Sequence, residues 1–142
     1  MSSKLDSLEL DFRPLVEELV RRTEEITKRK WGISDGRRTM KQQADIYAQG
    51  RTKPGKVVSN AKPGQSAHNF GYAVDLWPLT KNQKNFDWSA NRSLFDQMGK
   101  IAVSLGLTWG GNFKSILDLP HVEHPKWKTH QAKWKAGEIQ IV

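Results

Sequence analysis

Cysteine is absent from the 142-residue chain, and no apolar run reaches the roughly 20 residues that a membrane-spanning helix needs. Without cysteine, the chain has no disulfides, no thiolate catalysis and no cysteine-ligated zinc or iron–sulfur site. Any metal must therefore be held by histidine, aspartate or glutamate. The amino terminus, MSSKLDSLELDF, also lacks the apolar core of a secretory signal, which predicts a soluble protein synthesised in the cytoplasm.

Acidic residues are fewer than basic residues: the chain has 15 Asp and Glu and 23 Lys and Arg, which gives a formal net charge of +8. This excess favours an anionic partner such as nucleic acid, acidic lipid or bacterial cell wall. The basic residues are scattered and form no known nucleic-acid-binding motif, so nucleic acid is not the expected partner. The length and the 37% hydrophobic content suit one core, and we expect a single domain over residues 1–142, in a monomer.

Apolar periodicity and capping signals predict where the helices lie. They indicate helices over 11–30, 39–49 and 93–105, followed by a basic helix over 129–136. Thr39 with Gln42 three residues later is typical of a capping box at the start of the second helix.

Short β-leaning segments predict the strands. Ala73–Trp77 is predicted as a buried strand, in which Asp75 is a conspicuous polar residue, and Val57–Val58 as a short strand inside a loop with two Pro-Gly pairs. Because Pro120 disfavours a continuous helix, a further strand is expected to begin at His121.

His68 and Asp75 can share a metal only if the chain turns between them. In one extended strand the two residues would lie about 23 Å apart on opposite faces, and in one helix about 10 Å apart along the axis. A turn at residues 69–71, where Gly71 permits unusual backbone angles, would fold His68 back beside Asp75. The spacing is therefore compatible with a shared zinc ion.

The segment DLPHVEH, residues 118–124, holds a second group of polar side chains. Strand alternation would place His121 and Glu123 on one face, and Val122 and His124 on the other. His121 would then complete a His-Asp-His ligand set of the kind found in catalytic zinc sites.

Amide hydrolysis at such a site needs a carboxylate that accepts a proton from water and returns one to the leaving amine. Asp118 and Glu123 are both candidates for this base, and spacing does not separate them. The alternative for the whole group is a buried His-Asp pair beside an unrelated surface histidine.

The motifs SxHxxGxAxD over residues 66–75 and DxxH over residues 118–121 resemble those of the zinc peptidases of bacterial cell walls. These include D-Ala-D-Ala carboxypeptidases, vancomycin-resistance dipeptidases and L-alanyl-D-glutamate endopeptidases. The ordered segments GRRTMKQQADIYAQGRTKPG, HNFGYAVD, GLTWGGNF and DLPH are similar to the endopeptidase branch found in phage endolysins and bacillus wall hydrolases.

The resemblance implies a role for several residues. It makes His68, Asp75 and His121 the zinc ligands and Asp118 the general base, with Glu123 as the second choice. It also implies an arginine before the second helix that stabilises the oxyanion, which points to Arg38, although Arg37 stands where the family commonly has an aromatic residue. Further residues expected to bind substrate or to support the site are Ser66, Gln43, Tyr47 and Trp109.

From the resemblance we expect an α+β fold of the Hedgehog/D-Ala-D-Ala peptidase type, with helices packed on a small, mainly antiparallel sheet and zinc in the cleft. The expected activity is zinc-dependent hydrolysis of peptidoglycan at the L-alanyl-D-glutamate bond. The second hypothesis is a D-Ala-D-Ala carboxypeptidase, and the third is a non-catalytic zinc-containing binding domain, as in Hedgehog. The family branch and the absent signal suit a phage endolysin that acts on the host wall, and so as an antimicrobial, after holin-type release.

Overall fold

Helices pack around a small antiparallel sheet in the computed structural model, which describes residues 3–142. The helices are α1 Ser3–Asp6, α2 Arg13–Thr27, α3 Met40–Ala48, α4 Arg92–Ser104 and α5 Trp127–Lys135, with 3₁₀ helices at Ala67–Phe70 and Gly110–Asn112. The strands are β1 Trp31–Asp35, β2 Ala73–Pro78, β3 Thr108–Trp109 and β4 His121–Glu123. The expected α+β class is confirmed. None of the helices in the described part of the chain is long and apolar enough to cross a membrane.

The sheet brings distant parts of the sequence into register. Its order is β1-β2-β4-β3, and every neighbouring pair is antiparallel. Strand β2 is central, and Asp75 on β2 pairs directly with His121 on β4. Two residues that the sequence separates widely are therefore neighbours across one ladder.

Strand alternation divides the sheet into an apolar and a polar face. Val74, Leu76 and Val122 are buried in the same hydrophobic cluster as residues of α2 and α4. Because successive strand side chains point to opposite faces, Asp75 and His121 lie on the other side of the sheet. The core thus fixes the backbone from which the polar side chains project.

Most predicted elements occur close to their predicted positions. Thr39 and Gln42 form the capping box at the start of α3, since the side chain of each accepts from the backbone N–H of the other. The basic helix α5 begins at Trp127, two residues earlier than predicted.

The predicted strand at Val57–Val58 is wrong. Val57 and Val58 are 45% and 49% exposed, and the segment forms no strand. The apolar pair indicated a strand, but it lies in a Pro-Gly loop and has no sheet edge beside it with which to pair.

Candidate metal centre

A short 3₁₀ helix places His68 beside the central strand. Ser66 begins this helix and its hydroxyl accepts a hydrogen bond from the His68 backbone N–H at 3.2 Å. Gly71 ends it with a φ of 76°, in the left-handed region that favours glycine. The chain then enters β2, which carries Asp75 on its polar face. The predicted turn between His68 and Asp75 is thus present.

Three potential donor atoms converge on one point. Asp75 Oδ1 lies 3.4 Å from His68 Nε2 and 3.4 Å from His121 Nδ1. All three donor atoms lie within 4.8 Å of one another. Asp75 Oδ1 is buried and has no hydrogen-bond partner among the described residues. Burial of a carboxylate oxygen without a hydrogen-bond partner costs free energy, so a cation bound beside this oxygen would stabilise the site.

The spacing of Asp75 from each imidazole suits zinc. In a tetrahedral site with metal–ligand distances of about 2.0–2.1 Å, neighbouring ligand atoms lie about 3.3–3.4 Å apart. Both distances from Asp75 Oδ1 match that edge. Two imidazoles and one carboxylate also leave a fourth position for water or substrate, as catalytic zinc sites do.

The far nitrogen of each imidazole is held by an acceptor. His68 Nδ1–H donates to the Gly36 carbonyl at 2.7 Å, and His121 Nε2–H donates to Glu123 Oε1 at 2.6 Å. Because a neutral imidazole carries a single N–H, these bonds leave His68 Nε2 and His121 Nδ1 free to bind a metal.

Without a bound metal, electrostatics keep Asp75 and His121 charged. Burial opposes ionisation of Asp75, but the imidazoles of His68 and His121 outweigh it and hold the pKa of Asp75 well below its ordinary value. Burial likewise opposes protonation of His121, yet the nearby carboxylates of Asp75 and Glu123 outweigh it and raise the pKa of His121 to about 10. A bound cation would take the place of the proton between His121 and Asp75.

The two candidate bases occupy different positions around His121. Asp118 Oδ2 lies 3.9 Å from His121 Nδ1, on the metal-facing side, and its side chain is 43% exposed in the cleft. Burial, together with the negative charge of Asp75, raises the pKa of Asp118. Glu123 instead binds the opposite nitrogen of His121, and its second oxygen accepts from Trp127 Nε1–H at 2.8 Å.

Arg38, not Arg37, faces the cleft. Three of the five N–H donors of Arg38 bind Asp35 and Gln43, and Arg38 Nη2 lies 4.0 Å from Asp75 Oδ2. The remaining two donors have no hydrogen bond to the described residues. Arg37 turns the other way, where it donates to the Ser7 carbonyl at 2.7 Å.

Some predicted site residues support the site from behind. Gln43 is fully buried, accepts from Arg38 Nη1 at 2.8 Å and donates to the Ala61 carbonyl at 2.8 Å. It therefore joins the arginine to the loop that forms one rim of the cleft. Ser66 both caps the 3₁₀ helix and lines the cleft.

Tyr47 and Trp109 do not line the cleft. The guanidinium of Arg51 lies over the Tyr47 ring, and the distance from Arg51 Cζ to the ring centroid is 3.9 Å. Trp109 is buried in the core and donates to the Leu119 carbonyl at 2.7 Å, which supports the loop before His121. Trp109 thus supports the site from behind, because its indole packs inward against α4.

Side chains that sequence reasoning missed form much of the cleft, which has a volume of about 560 Å³. Its apolar lining includes Ile46, Phe113, Ile116 and Trp127, and its polar lining includes Ser59, Asn60, Gln65 and Ser115. Most come from loops, where no periodic signal marks which way a side chain points. The remaining histidines, His124 and His130, pack against the Tyr72 ring outside the donor cluster, as non-ligands should.

The fold and the clustered donors are typical of a metallopeptidase, and comparison with known proteins shows which family the chain is similar to. Residues 59–124 match the M15 peptidase family model described as D-alanyl-D-alanine carboxypeptidase. This match agrees with the family resemblance of the motifs in residues 66–75 and 118–121.

A curated relative supports the same assignment. The peptidoglycan L-alanyl-D-glutamate endopeptidase CwlK of Bacillus subtilis is 38% identical over 98 residues, which cover 64% of this chain and 58% of CwlK. The chain therefore spans less than two-thirds of the length of this relative.

Solved structures share the fold at lower identity. The L-Ala D-Glu endopeptidase ChiX of Serratia marcescens superposes with a TM-score of 0.62 at 20% identity, over 89% of this chain and 87% of ChiX. The vancomycin-resistance D,D-pentapeptidase VanY from a VanB-type cassette, solved in complex with Zn(II), gives a TM-score of 0.59 at 13% identity, over 92% of this chain and 79% of VanY.

Proposed function

We propose that this protein is a zinc-dependent peptidoglycan hydrolase that cleaves the L-alanyl-D-glutamate bond of the stem peptide. The observation that carries the proposal is the buried, unpartnered Asp75 Oδ1, which lies between two imidazole nitrogens at zinc-ligand spacing. His68, Asp75 and His121 would hold the metal. When bound, zinc supplies a Lewis acid that polarises a carbonyl and makes water more acidic.

Asp118 is the general base in this proposal. Its carboxylate lies on the metal-facing side of His121 and is open to the cleft. It accepts the proton of the attacking water and delivers a proton to the leaving amine. Asp118 is preferred to Glu123 because both oxygens of Glu123 already accept hydrogen bonds, from His121 and Trp127.

Arg38 stabilises the developing oxyanion. Its side chain is 12% exposed, is held by Asp35 and Gln43, and lines the cleft with two N–H donors that bind none of the described residues. A hydrogen-bond donor that is already held in place stabilises the transition state more than a donor that must be ordered during the reaction.

The choice of the L-alanyl-D-glutamate bond is supported by CwlK and ChiX, whose names state that specificity. The D-Ala-D-Ala terminus is the alternative, which the family description and the VanY neighbour favour.

The peptidoglycan substrate also suits the net charge of +8. Lys62 and Lys128 are exposed, have no carboxylate partner among residues 3–142, and flank the cleft residues Ala61 and Trp127. Attraction to an anionic wall through such lysines should weaken with salt.

Mass spectrometry of digested peptidoglycan tests the specificity, with the zinc-loaded protein, the chelated protein and the Asp118→Ala variant. The proposal expects L-alanine left on muramic acid and a new D-glutamate amino terminus, both lost on chelation or substitution. Release of terminal D-alanine alone would assign the carboxypeptidase activity instead. Bound zinc with no cleavage would favour a non-catalytic binding domain.

An endolysin role, with synthesis in a host cytoplasm and holin-dependent access to the wall, is a further proposal that is supported by the motif order alone. Expression in the cytoplasm with and without a holin tests it: lysis should require both proteins. The single-domain organisation and the monomeric state remain predictions that analytical ultracentrifugation can check.

A further inference from the structure

A chain of hydrogen bonds connects the metal-facing imidazole of His121 to the carboxy-terminal helix. His121 Nε2–H donates to Glu123 Oε1 at 2.6 Å, and Trp127 Nε1–H donates to Glu123 Oε2 at 2.8 Å. The side chains of His121 and Glu123 are 7% and 15% exposed. These bonds are therefore well shielded from water, in which they would be weaker.

The first bond determines which nitrogen of His121 can bind a metal. With one proton held on Nε2 by Glu123, Nδ1 is the nitrogen left to bind a metal, and it lies 3.4 Å from Asp75 Oδ1. A carboxylate on the far nitrogen also makes the imidazole a stronger ligand and prevents rotation of its ring.

The second bond fixes Glu123 through α5. Trp127 is the first residue of this helix, and its ring packs on Phe70 at a centroid distance of 6.0 Å. Further along, Gln131 Nε2 donates to the Gly64 carbonyl at 2.8 Å, and Trp134 packs on the same Phe70 ring at 6.0 Å. Phe70 belongs to the 3₁₀ helix that carries His68. Helix α5 thus touches both segments that supply imidazoles.

We propose that Glu123 and Trp127 are positioning residues for the metal, and that the chain Trp127–Glu123–His121 couples the docking of α5 to zinc affinity. This inference rests on the proposed metal site but does not depend on which bond the protein cleaves. By thermodynamic linkage, zinc must in turn stabilise the docked position of α5.

Zinc affinity, measured by competition with a chromophoric chelator, tests the inference. Replacement of residues that support a metal ligand typically costs 10–100-fold in metal affinity, so Glu123→Ala should weaken zinc binding by about this factor. Trp127→Phe keeps the ring on Phe70 but removes the N–H, and should weaken binding by about tenfold. Trp134→Phe is the matched control, because it alters the same helix and the same aromatic contact but removes no hydrogen bond among residues 3–142, and it should weaken zinc binding much less than Trp127→Phe does.

The visible spectrum of the Co(II)-substituted protein separates positioning from general loss of structure. Glu123→Gln and Trp127→Phe should change the d–d bands, since the imidazole is reoriented, whereas Trp134→Phe should leave them unchanged. Equal effects of Trp127→Phe and Trp134→Phe on affinity and spectrum would overturn the inference. A parent protein that binds no zinc would overturn both it and the metal site. A parent that binds zinc without cleaving peptidoglycan would overturn the proposed activity alone.

Discussion

His68 Nε2 lies 3.4 Å from Asp75 Oδ1, and the chain reverses between the two residues at Gly71. The reversal needs the left-handed backbone of Gly71, whose φ is 76°. Asp75 is fixed by the sheet and His68 by the 3₁₀ helix, so the geometry of the donor pair depends on this one turn.

Gly71→Ala should therefore lower both stability and zinc affinity. The left-handed conformation costs an L-residue about 1–2 kcal/mol, and the new Cβ would also collide with the Arg37 guanidinium. Gly106→Ala is the control, because Gly106 has a φ of 82° and a methyl group added there would meet no atom within 4 Å. Chemical denaturation should show a larger loss of unfolding free energy for Gly71→Ala than for Gly106→Ala. Equal losses would mean that the Arg37 side chain moves away from the new methyl group at no cost.

Removal of a proposed ligand should abolish stoichiometric zinc binding. Each of His68→Ala, Asp75→Asn and His121→Ala leaves too few donors for a three-ligand site. His124→Ala and His130→Ala should retain zinc, because neither histidine belongs to the donor cluster. Isothermal titration calorimetry and elemental analysis measure the stoichiometry. Full zinc binding by His68→Ala would show that the ligand set is wrong.

Replacement of the proposed base should separate binding from turnover. Asp118→Asn removes proton transfer but no ligand, so kcat should fall by about 10²–10⁴ while zinc stays bound. Kinetics on a stem-peptide substrate, with zinc content determined in parallel, measure both. If Asp118→Ala retained activity while Glu123→Ala lost activity with zinc in place, the roles of the two carboxylates would be reversed.

Arg38 and Arg37 offer a matched pair of substitutions. Arg38→Met should lower kcat by about 10²–10³, the usual cost of losing one oxyanion donor. Arg37→Met should leave kcat unchanged, because the Arg37 side chain faces Ser7 and Glu9 on the amino-terminal segment. Both variants need a thermal-unfolding control. A larger fall in kcat for Arg37→Met would contradict the assignment.

The stability of the metal-free protein should depend on His121. The carboxylates of Asp75 and Glu123 overcome the effect of burial and raise the pKa of His121 from 6.5 to about 10. A raised pKa contributes stability that is fully present below pH 6.5 and is lost as the pH rises through about 10. The unfolding free energy of metal-free protein should fall across this window, and His121→Gln should flatten the dependence. An unchanged slope in His121→Gln would contradict the pKa shift.

Local sequence signals determined much of this protein. The Thr39–Gln42 capping box, the buried strand with Asp75 inside it, and the alternation that puts His121 and Glu123 on one face are all present. These features depend on residues close together in the chain, where backbone preferences and side-chain periodicity act directly. The same signals failed at Val57–Val58, because a strand also needs a neighbouring edge.

The tertiary structure decided the roles within the site. Sequence spacing left Asp118 and Glu123 equivalent, and only the docking of α5 shows that Trp127 occupies the second oxygen of Glu123. Likewise, adjacent arginines look alike in sequence, but Arg38 reaches Gln43 and the cleft while Arg37 turns to the amino-terminal segment. The Arg37–Ser7 contact joins residues 30 positions apart, and the Glu123–Trp127 and Arg38–Gln43 contacts each reach into the helix that follows, so the packing of whole elements determines them and no local periodicity marks them.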